Sequence, residues 1–155
     1  MLFSPRIPAW LFLYTKDVDM PLTVISNPDE SKRPQYTIAR VLYAETGATS
    51  LRAVECLASM IANISRLSGV APEMVVMDSN LFDVHNATSP NHQLLSVAAR
   101  GRGFDMCLRV AVRLLHGTLS DQCCGATKFH HADTIPDWAV SRGYILAVDD
   151  LLFYL

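Results

Sequence analysis

The sequence lacks a hydrophobic run long enough to cross a membrane, and it lacks an excess of charge of either sign. Thirteen Lys and Arg residues stand against 15 Asp and Glu, which gives a formal net charge of −2 at pH 7. A membrane-spanning helix needs about 20 consecutive apolar residues, so we expect no transmembrane segment. Proteins that bind nucleic acids or acidic membrane surfaces usually carry a basic excess, so we expect neither partner.

The four cysteines lack the spacing of a metal site. Cys123 and Cys124 are adjacent, as are two nearby histidines, whereas the ligands of a zinc site are usually separated by two or more residues. We therefore expect no metal and no cofactor. Cys56 and Cys107 fall on the apolar faces of predicted helices, which is typical of buried thiols. The sequence leaves the redox state of all four cysteines open.

Residues 1–34 are predicted to form a proline-rich N-terminal arm ahead of a single domain over residues 35–155. Proline interrupts regular elements, and the arm contains Pro5, Pro8, Pro21, Pro28 and Pro34. Its apolar segment, residues 7–14, is short and lacks the small-residue cleavage pattern of a secretory signal. We expect this segment to pack on the domain or on a protein partner.

Hydrophobic spacing predicts three main helices, followed by strands. Apolar residues recur at intervals of three and four over residues 38–44, 51–64 and 104–115, and Ser50 or Thr49 can cap the second helix. Residues 126–131 are predicted to be extended, and 144–148 and 151–155 to form two strands joined at Asp149 and Asp150. The predicted fold class is therefore α+β, predominantly helical, with a small antiparallel sheet from the C-terminal third.

The first predicted helix ends in a glutamate that has the features of a general acid. Gly47 is suited to a left-handed C-terminal cap, which places Glu45 in the last helical turn. The negative pole of the helix and the apolar surroundings, with Tyr43, both favour the protonated form of such a carboxyl group. Cleavage of a glycosidic bond needs an acid of this kind. The ordinary alternative is a solvated surface glutamate.

Several motifs around and after Glu45 follow one another in a recognisable order. They are Arg40-Val41-Leu42-Tyr43-Ala44-Glu45-Thr46-Gly47, Asn63 with Arg66, Phe82, Leu115-His116-Gly117, Asp121, Gly125-Ala126-Thr127-Lys128-Phe129-His130, Pro136 with Trp138, and Phe153-Tyr154. The series resembles the SleB/CwlJ family of cell-wall hydrolases over about residues 36–155. It departs from the family pattern at Leu81 and Leu151, and in the two residues that separate Asn63 from Arg66.

The resemblance implies a lysozyme-like fold and cleavage of peptidoglycan glycan strands between N-acetylmuramic acid and N-acetylglucosamine. It implies action at the cell wall, by lytic transglycosylation or by hydrolysis, with Glu45 as the catalytic residue. A hydrolase would need a second carboxylate, for which Asp121, Asp149 and Asp150 are candidates. We expect the sugar chain to contact Tyr43, Phe82, Thr127, Phe129, His130 and Trp138.

The sequence also allows other roles for these residues. The aromatic residues can instead pack in the core, and His130 and His131 can assist acid–base chemistry. The protein as a whole can be a non-catalytic module that binds a glycan or a protein. A third alternative is peptidase or amidase chemistry by Cys123 or Cys124 with His130. A partly buried acid at Glu45 favours the glycan-cleaving enzyme over the non-catalytic module, and the cysteines lack a recognisable nucleophile context.

Overall fold

A computed structural model describes residues 32–96 and 101–155 of the chain. The predicted arm lies almost wholly outside the described residues, and so does its apolar segment. Over the described part, helices precede a small antiparallel sheet, so the predicted α+β class is confirmed. None of the helices in the described ranges is long and apolar enough to span a bilayer.

Helix α1, Pro34–Thr46, is the predicted helix that ends at the glutamate. Pro34 occupies its first turn, where the missing N–H costs nothing. Gly47 ends the helix with φ of 63°, and its N–H donates to the Tyr43 carbonyl at 2.8 Å. A side chain at this left-handed position would be strained. Gly47 therefore ends α1 and places Glu45 in its last turn.

Helices α2, Leu51–Ser68, and α4, Arg102–Leu115, pack against α1, and the single-turn helix α3, Pro72–Val75, packs against both α1 and α2. The predicted cap of α2 is confirmed, because the Ser50 hydroxyl accepts a hydrogen bond from the Ala53 N–H at 3.1 Å. Between α3 and α4, short 3₁₀ turns cover Asp83–His85 and His92–Ser96. The apolar faces of these helices form one core with the sheet.

The N-terminus of α4 approaches the end of α1 closely. A Cβ atom on Gly103 would lie 3.1 Å from the Ala48 Cβ and 3.3 Å from the Tyr43 ring. Next to it, Phe104 contacts the Tyr43 ring edge-on, with 6.2 Å between centroids. This packing holds the last turn of α1 in place, and the Tyr43 ring packs against the core.

The sheet has the order β1-β3-β2 and is antiparallel throughout. Its strands are β1, Lys128–His131, β2, Leu146–Val148, and β3, Leu151–Tyr154, while a 3₁₀ turn covers Asp137–Ala139. Phe129 faces Phe153 across β1 and β3. The turn between β2 and β3 falls at Asp149 and Asp150 as predicted, with Asp149 at φ of 52°. A positive φ at the first turn residue suits a two-residue hairpin loop.

Candidate active site

A groove of about 860 Å³ lies beside the C-terminal end of α1. Volumes of this size are typical of ligand-binding clefts. Four parts of the fold border it: the end of α1, the loop between α3 and α4, the end of β1 with the segment that follows, and the β2–β3 turn. Its lining includes Glu45, Thr49, Asn80, Leu81, Asp83, Asn91, Leu94, Phe129, His130, His131, Asp133, Trp138, Asp149 and Asp150.

Glu45 is a buried member of the groove lining, with its side chain only 1% exposed. Its Oε1 atom lies 2.7 Å from Nε2 of His131. Its Oε2 atom is also buried, and no described residue hydrogen-bonds to it. A buried carboxylate oxygen without a partner is costly, so Oε2 would gain from any hydrogen-bond donor that reached it.

His131, the last residue of β1, forms the partner of this carboxyl group. The hydrogen bond to Glu45 raises the pKa of His131 above its ordinary value of 6.5, although burial opposes the shift. Asp150 contributes in the same direction, with its Oδ2 atom 3.5 Å from Nδ1 of His131. His131 therefore stays protonated to higher pH than an isolated imidazole would.

An aromatic wall, consisting of His130, Trp138 and Tyr154, stands on the same side of the molecule. Tyr154 Oη lies 2.9 Å from Nε2 of His130, and the Trp138 ring packs edge-on against both neighbours. The Nδ1–H of His130 donates to the His131 carbonyl at 2.7 Å. Both ring nitrogens of His130 are thus engaged. Trp138 is half-buried in the groove lining, and Lys128 Nζ lies over its ring, 5.2 Å from the centroid.

Four of the predicted site residues line the groove and three do not. Glu45, Phe129, His130 and Trp138 are in its lining. Tyr43 packs on Phe104. Phe82 is fully buried, with its ring centroid 5.7 Å from that of Phe129, so core packing describes it better than sugar stacking. The Thr127 N–H donates to the Tyr154 carbonyl at 2.9 Å and so extends the pairing of β1 with β3. Thr127 is not in the groove lining.

The candidate second carboxylates are divided in the same way. Asp149 and Asp150 line the groove, and Asp121 does not. Asp121 instead accepts hydrogen bonds from the N–H groups of Cys123 and Gly125, at 3.0 and 2.7 Å. It therefore stabilises the turn that leads into β1.

Asn63 and Arg66 act on that same turn. Asn63 is buried, and its side-chain amide donates to the Ala126 carbonyl at 3.1 Å. Arg66 Nη1 donates to Asn63 Oδ1 at 3.1 Å. The two residues that separate the pair place it at i and i+3 on α2, where side chains are neighbours. These two hydrogen bonds position the chain just before β1, and hence they position His131.

The cysteine alternative has little support in the structure. All four cysteines are free thiols, and only Cys124 is exposed. Burial and the neighbouring Asp121 raise the pKa of Cys123 to about 12, so its thiolate is scarce near neutral pH. Among the described residues, no group of His, Cys, Asp and Glu side chains is arranged to hold a metal ion.

Comparison with protein-family models, with characterised proteins and with solved structures finds no match to the chain. The geometry of the groove is therefore the principal support for any function.

The pairing of Glu45 with His131 was not predicted from the sequence. One available signal was strand periodicity, because alternate residues of a strand face the same side. Phe129, which we expected in the cleft, thus implied His131 rather than His130 as its neighbour on that face. The two rings lie 5.9 Å apart between centroids.

Proposed function

We propose that the protein cleaves peptidoglycan glycan strands between N-acetylmuramic acid and N-acetylglucosamine, with Glu45 as general acid and then base. The observation that carries the proposal is the state of the Glu45 carboxyl group. It lines a groove, one oxygen is held by His131, and the other is buried without a partner among the described residues. A carboxyl group kept from bulk water in this way suits proton transfer to a leaving oxygen.

The proposed reaction uses one carboxyl group twice. In the first step Glu45 gives its proton to the glycosidic oxygen as the bond from that oxygen to the muramic anomeric carbon breaks. In the second step the Glu45 carboxylate takes the proton of the muramic 6-hydroxyl as its oxygen bonds to the anomeric carbon. The products are an anhydromuramic end and a free N-acetylglucosamine hydroxyl, and Glu45 regains its proton. Water is not consumed.

The aromatic wall supports a sugar polymer as the substrate. Trp138 presents a half-buried ring to the groove beside His130 and Tyr154, and an aromatic ring can cover the apolar face of a pyranose. Polar side chains elsewhere in the lining, including Asn80 and Asn91, can bind hydroxyl and acetamido groups. This mixture of one aromatic surface with many amide and hydroxyl partners suits a carbohydrate.

The arrangement of helix and sheet also supports a lysozyme-like fold as part of this proposal. A glutamate lies in the last turn of a core helix, a groove lies beside it, and residues of a small antiparallel sheet line that groove. Peptidoglycan as the substrate further implies action at the cell wall. A protein partner for the apolar segment of the N-terminal arm remains part of the same proposal.

Mass spectrometry of the products from purified peptidoglycan tests the proposed reaction. Anhydromuramic ends support the transglycosylase reaction written above. Reducing ends would replace it with hydrolysis, in which Asp149 or Asp150 would activate water from the groove lining. Cleaved peptides with intact glycan strands would contradict the proposal and favour the amidase alternative.

A non-catalytic glycan-binding module is the second candidate. The aromatic wall favours it, because Trp138, packed against His130 and Tyr154, would contact a sugar in the groove whether or not Glu45 performs chemistry. Sedimentation of the protein with insoluble peptidoglycan, without release of any soluble fragment, would support this module and contradict the enzyme.

A further inference from the structure

His131 has a position that its neighbour His130 does not share. It lies at the end of β1 with Nε2 on the buried oxygen of Glu45 and Nδ1 toward Asp150. Its side chain is 24% exposed, whereas that of Glu45 is 1% exposed. His131 is therefore the group that links the buried acid to the solvent at the edge of the groove.

We infer that His131 is a positioning residue that holds the Glu45 carboxyl group and supplies a proton to it across their hydrogen bond, and that Asp150 orients its ring for this task. The inference rests on the proposed function and adds to it a regulation by pH, because cleavage then requires that the pair hold its proton. His131 acts through Glu45 and need not touch the substrate.

The surrounding charges support this role. Glu45 faces the imidazole from α1 and Asp150 faces it from the β2–β3 turn, while the Ala132 N–H donates to the Asp150 carbonyl at 2.7 Å and holds that turn against the end of β1. Asp133 and Asp149 also line the groove near this point. Glu45 and Asp150 both favour the protonated imidazole, and so raise the pKa of His131.

One proton on the pair is sufficient for the reaction. It can lie on His131, opposite a Glu45 carboxylate, or on Glu45, opposite a neutral His131. The hydrogen bond of 2.7 Å connects the two forms. After Glu45 has protonated the leaving oxygen, its carboxylate faces a neutral His131. Asp150 favours the tautomer with the proton on Nδ1, because its carboxylate accepts the Nδ1–H. In that tautomer Nε2 has no proton to donate to the Glu45 carboxylate. Glu45 is then free to act as base.

A pH titration read in two ways tests the inference. Nuclear magnetic resonance follows the His131 ring, and fragment release from peptidoglycan gives the alkaline limit of activity, in the wild type and in Asp150→Asn. We expect Asp150→Asn to lower the midpoint of the His131 titration and to move the alkaline limit to lower pH by the same amount. Asp137→Asn removes one exposed carboxylate outside the groove lining and should move neither.

A purely structural histidine would give a different result. In that case Asp150→Asn would shift the midpoint of the ring but leave the alkaline limit of activity in place, which overturns the inference while the proposed function stands. Glu45→Gln provides a check that does not need activity, because it should lower the His131 midpoint in the folded protein. An unchanged midpoint in that variant also overturns the inference. If the wild type releases no fragments at any pH, the proposed function fails and the inference fails with it.

Discussion

Replacing His131 by alanine should lower the free energy of unfolding by about 3 kcal/mol near pH 6, because it leaves a buried carboxyl group with no partner on either oxygen. In the wild type, Nε2 of His131 is 2.7 Å from a side chain that is 1% exposed. Breaking a fully buried ion pair costs about 3–5 kcal/mol. The 24% exposure of His131 lets water approach the site, so we expect the lower end of this range.

A double-mutant cycle separates the pair from ordinary packing losses. In a Glu45→Gln background the buried group is a neutral amide, so His131→Ala should cost only about 1 kcal/mol there, and the coupling between the two sites should be about 2 kcal/mol. Urea unfolding followed by circular dichroism, with all four proteins at equal concentration, provides the measurement.

The coupling energy measured by the same cycle should fall as the pH rises. The pKa of His131 is raised in the folded protein, so its contribution to stability is fully present below the unfolded value of about 6.5 and is lost as the pH rises through the folded pKa. The coupling should therefore be smaller at pH 9 than at pH 6. A coupling near zero at pH 6 would refute the inferred pairing of Glu45 with His131.

Three further substitutions test separate parts of the structure. Trp138→Ala should weaken binding to glycan fragments roughly 2–10-fold in calorimetry without unfolding the domain, and unchanged affinity would remove the aromatic wall from the site. Phe82→Ala should cost about 3–5 kcal/mol of stability in urea unfolding, because the ring is fully buried; a small loss together with weakened glycan binding would restore it as a sugar contact. Ser50→Ala should cost about 1 kcal/mol by removing the cap of α2, and no loss would show that the hydroxyl is not needed there.

The helices and the hairpin were predictable because their signals are local. Gly47 ends α1, Ser50 caps α2, and the turn at Asp149 and Asp150 separates two apolar segments. Each of these depends on a few consecutive residues and on the backbone conformations they favour. The placement of Glu45 in the last turn of a core helix followed from the same signals, and the structure confirms that this residue is buried.

Contacts between distant segments were harder to predict. Glu45 and His131 are 86 residues apart in the sequence, and no local pattern indicates which strand will face the end of α1. Phe82 shows the same difficulty from the other side. It lies in a loop of polar residues, yet an aromatic side chain there can still pack in the core. Its burial against Phe129 depends on the packing of the sheet, which the loop sequence does not reveal.

Release of soluble fragments from purified peptidoglycan by the wild type and by Glu45→Gln is the most direct measurement. Glu73→Gln serves as the matched control, because it makes the same change outside the groove lining. We predict that the wild type and the control release fragments at equal rates, and that Glu45→Gln is slower by about 10²–10⁴-fold while it remains folded. Equal release by Glu45→Gln would contradict the role of this carboxyl group as the general acid.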